Sequence, residues 1–127
     1  MNASVQPTLI LDANPANGQQ LAEQLGHAGF ASDAASTCLA AIAAVRDKHY
    51  GAMIVIGDLL DSGTLSCISD LRTQAPGAWL IVVALAPPGS ARELTWPHGV
   101  DALLTLPYSV QNLASRLSAF AQRSRPS

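Results

Sequence analysis

The chain predicts a three-layer α/β domain built on a five-stranded parallel sheet, and three observations carry that expectation. Ala52 to Ile56 and Trp79 to Leu85 are unbroken apolar runs; a strand with one wet face would alternate, so both are expected to be covered by helices on each side. Stretches with apolar residues at helical spacing separate the strand candidates. Strand and helix signals alternate along the whole length with short connections, the pattern of strand–helix–strand units wound on one sheet.

In chain order, Thr8 to Leu11 reads as a short strand ending at Asp12, and Asn14-Pro15 supplies a cap and a first-turn proline for a helix through about His27. Leu21 and Leu25 give that helix its buried stripe, and Gly26 and Gly29 bracket its end. Phe30 to Ala34 offers a second, weaker strand. Ser36 is the expected cap of a second helix, in which Leu39, Ile42 and Val45 recur at three-residue steps before an end near Lys48. The apolar run from Ala52 is the central strand, stopped by Gly57 and Asp58. Asp61-Ser62-Gly63 then turns the chain and caps a third helix with Leu65, Ile68 and Leu71 facing inward and Pro76-Gly77 closing it. After the strand from Trp79, Pro87-Pro88-Gly89 forms a rigid loop, and Ser90 to Glu93 matches a capping box opening a short fourth helix stopped by Pro97. Val100 to Leu106 is the last strand, and Ser109 caps a fifth helix carrying Val110, Leu113, Leu117 and Phe120. The expected arrangement is a flavodoxin-like doubly wound sheet in the order 2-1-3-4-5.

Composition bounds the function. With 127 residues the chain is expected to form a single domain, core 8–121, followed by a polar tail or linker at 122–127. Charged residues make up 13%, about half the usual share of roughly 25%, so the surface must be rich in small polar and aliphatic groups, a composition suited to protein partners. A net charge of -2 without any Lys/Arg run argues against direct binding to nucleic acid or anionic membranes. No stretch approaches the roughly 18 apolar residues of a membrane span, and the first residues lack the basic and apolar segments of an export signal. The reading is a soluble cytoplasmic protein without a cofactor, in which Cys38 and Cys67 are two small buried or half-buried thiols with no metal or redox role.

The carboxyl ends of the strands are where chemistry gathers in such sheets, and the residues there carry a resemblance. The segments Leu-Ile-Leu-Asp12-Ala13-Asn14-Pro15, Tyr50-Gly-Ala-Met-Ile-Val-Ile56, Asp61-Ser62-Gly63 before Leu65, Leu80-Ile-Val-Val83 and Gly99-Val-Asp-Ala-Leu-Leu-Thr-Leu106-Pro107-Tyr108 together resemble the CheY-like receiver domain of two-component response regulators. The likeness runs from about Leu9 to Phe120, and its most specific part is the last segment, shaped like the family's Gly-Ala-Asp-x-Tyr-Leu-x-Lys-Pro-Phe. Receivers move a phosphoryl group from a histidine kinase to their own aspartate. The resemblance implies an acidic pair holding Mg²⁺, an acceptor aspartate, a hydroxyl residue and a lysine.

Laid on that pattern, the chain lacks most of these groups. The acidic pair reads Asp12-Ala13; the acceptor position falls on Ile56, the hydroxyl position on Ala84, the lysine position on Leu106, and the aromatic switch position on Leu103. Asp58, two residues past Ile56, becomes the acceptor only if the third strand's loop is shifted. Lys48 is the chain's one lysine, and it precedes the central strand, at the end of the sheet opposite the pocket. Asp12 and Asp58 are at best weak metal candidates; capping of nearby amides is the simpler role for Asp12, and turn formation for Asp61. His27, His49 and His98 are scattered at element ends and in loops. Trp96, Leu103, Tyr108 and Val110 frame the face, made by the fourth helix, last strand and last helix, that receivers use for docking and dimerisation, although Trp96 could equally close the core under Pro97. The expectation is therefore a degenerate, phosphorylation-independent receiver without catalytic residues, acting through a signalling partner or as a homodimer. Its rivals are a receiver phosphorylated on Asp58 and a small-molecule-binding domain of the same fold.

Overall fold

A computed structural model describes residues 7–58, 61–84, 99–105 and 109–121. Its five strands are β1 (Thr8–Asp12), β2 (Ser32–Ala35), β3 (Ala52–Gly57), β4 (Trp79–Ala84) and β5 (Ala102–Thr105), all parallel in the order β2-β1-β3-β4-β5. The described helices are α1 (Pro15–His27), α2 (Cys38–Asp47), α3 (Ser62–Gln74) and α4 (Val110–Ala121). The expected short helix opening at Ser90 lies outside the described residues, as do Leu85 and Leu106.

The two apolar runs are strands for the reason their sequence suggests: β1, β3 and β4 are buried almost throughout, because helices cover both sides. Alternate residues sort into two cores. Leu9, Leu11, Met53, Val55, Leu80 and Val82 meet Ala41, Cys67, Ile68 and Leu71 from α2 and α3. Ile10, Ile54, Ile56, Ile81, Val83 and Leu104 meet Leu21 and Leu25 of α1 and Leu113, Leu117 and Phe120 of α4. Phe120 also stacks on Trp79, with ring centroids 4.3 Å apart.

Several local expectations are corrected. Thr37, not Ser36, caps α2, its hydroxyl accepting from Ala40 N at 3.1 Å. Leu39 and Leu65 do not face inward: Leu39 is 82% exposed and Leu65 40%. A three-residue step drifts around a helix of 3.6 residues per turn, and the buried positions are Ala41 in α2 and Cys67, Ile68 and Leu71 in α3. The cysteines are not two separate thiols. Cys38 and Cys67 form a disulfide between α2 and α3, with Cα atoms 5.9 Å apart. Cross-linking positions 29 residues apart removes chain entropy worth on the order of 3–4 kcal/mol from the unfolded state.

Two polar clusters hold the amino-terminal edge of the sheet. The Arg72 guanidinium, in the last turn of α3, donates to the carbonyls of Gly99, Ala75, Pro76 and Ala78 and lies 3.5 Å from Asp101, whose carboxylate accepts from Leu80 N. Asp33 accepts from Lys48 Nζ at 2.9 Å and from the Tyr50 hydroxyl at 2.7 Å. The Lys48 and Tyr50 hydrogen bonds hold the Asp33 carboxyl below its usual range, while burial and the Asp33 carboxylate push the Tyr50 phenol up.

Gly99 has φ +88°, and an added Cβ would lie 2.6 Å from Arg72 Cδ. Gly99→Ala is therefore expected to lower stability by roughly 1–3 kcal/mol in urea unfolding, since both backbone strain and a displaced guanidinium follow. The depressed Asp33 carboxyl adds stability above its unfolded value of 3.8, and that contribution disappears as pH falls through the lowered folded value. The stability difference between wild type and Asp33→Asn should accordingly be present at neutral pH and vanish on acidification.

Candidate functional site

The carboxyl edge of the sheet begins with the way β1 ends. Asn14 caps α1, its side-chain oxygen accepting from Ala16 N and Asn17 N at 3.1 and 3.2 Å, with Pro15 at the first helical position. This tight return brings α1 back over Asp12. Asp12 is only 6% exposed as a residue; Oδ1 accepts from Asn14 N at 2.9 Å, and Oδ2 accepts from the Asn17 side-chain amide. Asp12 is a capping residue as expected, but a buried one rather than a solvated one. Gly18 allows the close approach, since a Cβ there would touch Asp12 Cβ at 3.5 Å and Ala34 Cβ at 3.6 Å. Asn17 was not singled out from the sequence. Its signal is position: third residue of a helix that starts immediately after a strand-end aspartate.

Register places Ile56 directly beside Asp12 on the neighbouring strand and Val83 on its other side. Both Asp12 and Ile56 point toward the α1 and α4 layer, where Ile56 is 7% exposed and packs with Ile54 and Val83. The next residue, Gly57, pairs with Ala84, whose methyl belongs to the opposite core under α2 and α3. Ile56 and Ala84 thus share an edge of the sheet but not a face. Asp58 is exposed just past β3, its carbonyl accepting from Asp61 N at 3.0 Å. Asp61 is the cap of α3, Oδ2 accepting from Thr64 N and Thr64 Oγ1 at 3.3 Å. Thr64, also unforeseen, closes over β3: a Cβ on Gly57 would meet its Cγ2 at 3.0 Å.

The docking-face candidates separate. Leu103 is half-buried against the α2 and α3 core, and Val110 is half-buried against the α1 and α4 core. Trp96, Tyr108 and Leu106 lie outside the described residues. Lys48 sits at the amino-terminal edge, bound to Asp33. Arg46 and Arg72 occupy the last turns of α2 and α3 at that same edge, so three of the four Lys and Arg among the described residues lie opposite the candidate site.

No family model and no curated protein sequence matches the chain. Solved structures do match. A two-component response regulator from Clostridium difficile is 20% identical, with a TM-score of 0.77 over 93% of this chain and 97% of that one. The chain has the fold of a response-regulator receiver domain. A CheY-like receiver domain from Methylobacillus flagellatus is 24% identical, with a TM-score of 0.72 over 92% and 99% of the two chains. A putative pilus assembly protein from Burkholderia thailandensis is 21% identical, with a TM-score of 0.74 over 93% and 99%.

A receiver fold implies an Mg²⁺ ion at this edge, and the residues present do not fit one. Both Asp12 oxygens already accept hydrogen bonds from the chain's own amides, Ala13 offers no ligand, and a buried isoleucine occupies the adjacent strand position. Among the described residues no three His, Cys, Asp or Glu side chains come together as a metal site. Mg²⁺ prefers near-octahedral oxygen donors, and next to Asp12 the neighbouring strand offers the hydrocarbon side chain of Ile56. If Asp12 is a structural acceptor, Asp12→Ala should destabilise the fold by about 1–3 kcal/mol, because the two donors it satisfies are left unmatched near the core. Millimolar Mg²⁺ should leave the wild-type melting temperature unchanged in the same thermal scans.

Proposed function

We propose that the chain is a degenerate receiver that works without phosphorylation, as a protein-interaction or dimerisation module in bacterial signal transduction. The observation that carries this reading is Ile56 buried beside Asp12, where a phosphorylated receiver would need a carboxylate open to solvent and metal. Phosphoryl transfer is catalysed by positioning and by charge neutralisation. Here three of the four described cations lie at the far edge of the sheet, and Asp12 is engaged within its own turn. In this reading the chain has no catalytic residue and binds no cofactor. Asp58 serves the turn before α3, and in the receiver sequence pattern the hydroxyl and lysine positions read Ala84 and Leu106.

What such a domain retains is a rigid surface with few charges, and the proposed output is docking of a second copy or a signalling partner on the face framed by residues 90–97, β5 and α4. Trp96 and Tyr108 are the proposed anchors there, because aromatic side chains dominate the energetics of small interfaces. Leu103 and Val110, packed on opposite cores, are not among the proposed anchors. The proposed setting is the cytoplasm, and among the described residues no helix is long and apolar enough to cross a membrane.

The test compares the protein with and without beryllofluoride and Mg²⁺. Sedimentation velocity and two-dimensional amide spectra are expected to be unchanged by the additions, and Asp58→Asn is expected to sediment and bind as wild type does. A stoichiometric adduct with acetyl phosphate at Asp58, or a Mg²⁺-dependent spectral shift centred on Asp12 and Asp58, would overturn the proposal.

A further inference from the structure

The Cys38–Cys67 disulfide sits where it can matter. Cys38 is the first residue of α2, immediately after the Thr37 cap, and Cys67 lies in the second turn of α3. They are the chain's two cysteines. Cys67 is 6% exposed, whereas Cys38 is half-buried, so a reagent in solution meets Cys38 first. A sulfur at the first position of a helix faces unpaired backbone amides and the positive end of the helix dipole, which favour its thiolate form. The pair thus has an accessible sulfur that can react and a sheltered one that can resolve.

Apart from the bridge, the start of the helix it fastens is held by the Thr37 cap and by Ala41. Ala41 is the one fully buried residue of α2, and Leu39, next to Cys38, is 82% exposed. At ten residues, α2 is shorter than the roughly 12–15 at which an isolated helix holds in water. Its other anchors are at the far end: Arg46 donates to Gln74 at 3.1 Å, and Lys48 pairs with Asp33 at 2.9 Å, both exposed. Remove the sulfur bridge, and the first turn retains the Thr37 cap and the burial of the small Ala41 side chain, with Ile42, Ala44 and Val45 only partly packed in the turn that follows.

We propose that Cys38 and Cys67 form a reversible thiol–disulfide site that exchanges with low-molecular-weight thiols of the glutathione class, and that its redox state sets how firmly the first turn of α2 is held to α3. In the oxidising direction the Cys38 thiolate attacks one sulfur of a small disulfide, forming a mixed disulfide and releasing one thiolate. The Cys67 thiolate then attacks the Cys38 sulfur, closing the protein disulfide and releasing the second thiolate. The two cysteine protons end on the two small thiols, and two electrons pass from the protein to the reagent. Reduction runs the same steps backward. The inference is independent of the phosphorylation question, since it concerns α2 and α3 and not the end of β3.

The test takes the full chain through a series of buffers from reduced to oxidised glutathione, traps thiols with acid and an alkylating agent, and counts them by mass. Amide hydrogen exchange of residues 38–44 is measured at both ends of the series. The expected result is complete, repeatable conversion between zero and two alkylated cysteines in the folded protein. In the reduced form, exchange in the first turn of α2 should be faster by on the order of tenfold or more, with β3 and β4 unchanged. Cys38→Ser should show the fast exchange in every buffer, and if that variant does not fold, reduced wild type supplies the comparison. Two alkylated cysteines in the fully oxidising buffer would overturn the proposal. So would a disulfide that opens only after denaturation, or equal exchange in the two redox states.

Discussion

A parallel sheet covered on both faces leaves its carboxyl edge as the place where side chains from several strands can meet solvent together, and in this chain the central strand ends there with buried hydrocarbon. Ile56 completes the core between Asp12 and Val83. Once that side chain is drawn into the packing, the rest of the edge follows. Asp12 accepts hydrogen bonds from the Asn14 amide and the Asn17 side chain. Gly57 carries no side chain and is covered by Thr64, and Asp58 falls past the strand into the turn before α3. An aliphatic group buried at the strand end stabilises the domain, and a carboxylate in its place would have to be solvated or neutralised by groups the described edge lacks.

The polarity of the domain is consistent with that arrangement. Helix ends and loops at the amino-terminal edge hold Arg46, Lys48 and Arg72, each engaged in hydrogen bonds that tie elements together. Arg72 in particular gathers the carbonyls after α3 and before β5, so that Gly99 must keep a conformation other residues resist. Positive charge therefore serves architecture here. At the carboxyl edge, the acidic groups Asp12 and Asp61 serve as acceptors for helix-start amides. The two edges are both polar, yet neither gathers charges around a free ligand position among the described residues.

Much of the fold was legible because double burial leaves an unmistakable mark: β3 and β4 have apolar runs without alternation, and a chain that alternates them with helices has few ways to pack. The burial of Ile56 was legible for the same reason, since an apolar residue closing an unbroken apolar run belongs to the core. What escaped was set by tertiary contact. Leu39 and Leu65 fit a three-residue step as well as Ile68 and Leu71 do, but helix rotation decides which side faces the sheet, and periodicity over ten residues leaves that angle loose. The disulfide escaped because Cys38 and Cys67 are 29 residues apart in two different helices, each resembling a small apolar residue on its own. Ala84 shares the edge with Ile56 but turns to the opposite face, a consequence of the one-residue offset between β3 and β4 that spacing alone does not reveal.

The central claim is that the end of β3 belongs to the core. Urea unfolding of Ile56→Asp, with and without millimolar Mg²⁺, tests it most directly. The account predicts a loss of about 3 kcal/mol or more, from a lost aliphatic contact and a carboxylate introduced into apolar packing, with no recovery when Mg²⁺ is added. An Ile56→Asp protein as stable as wild type, or one restored by Mg²⁺, would mean that this edge is still a phosphoryl-transfer pocket waiting for its acceptor, and would contradict the account.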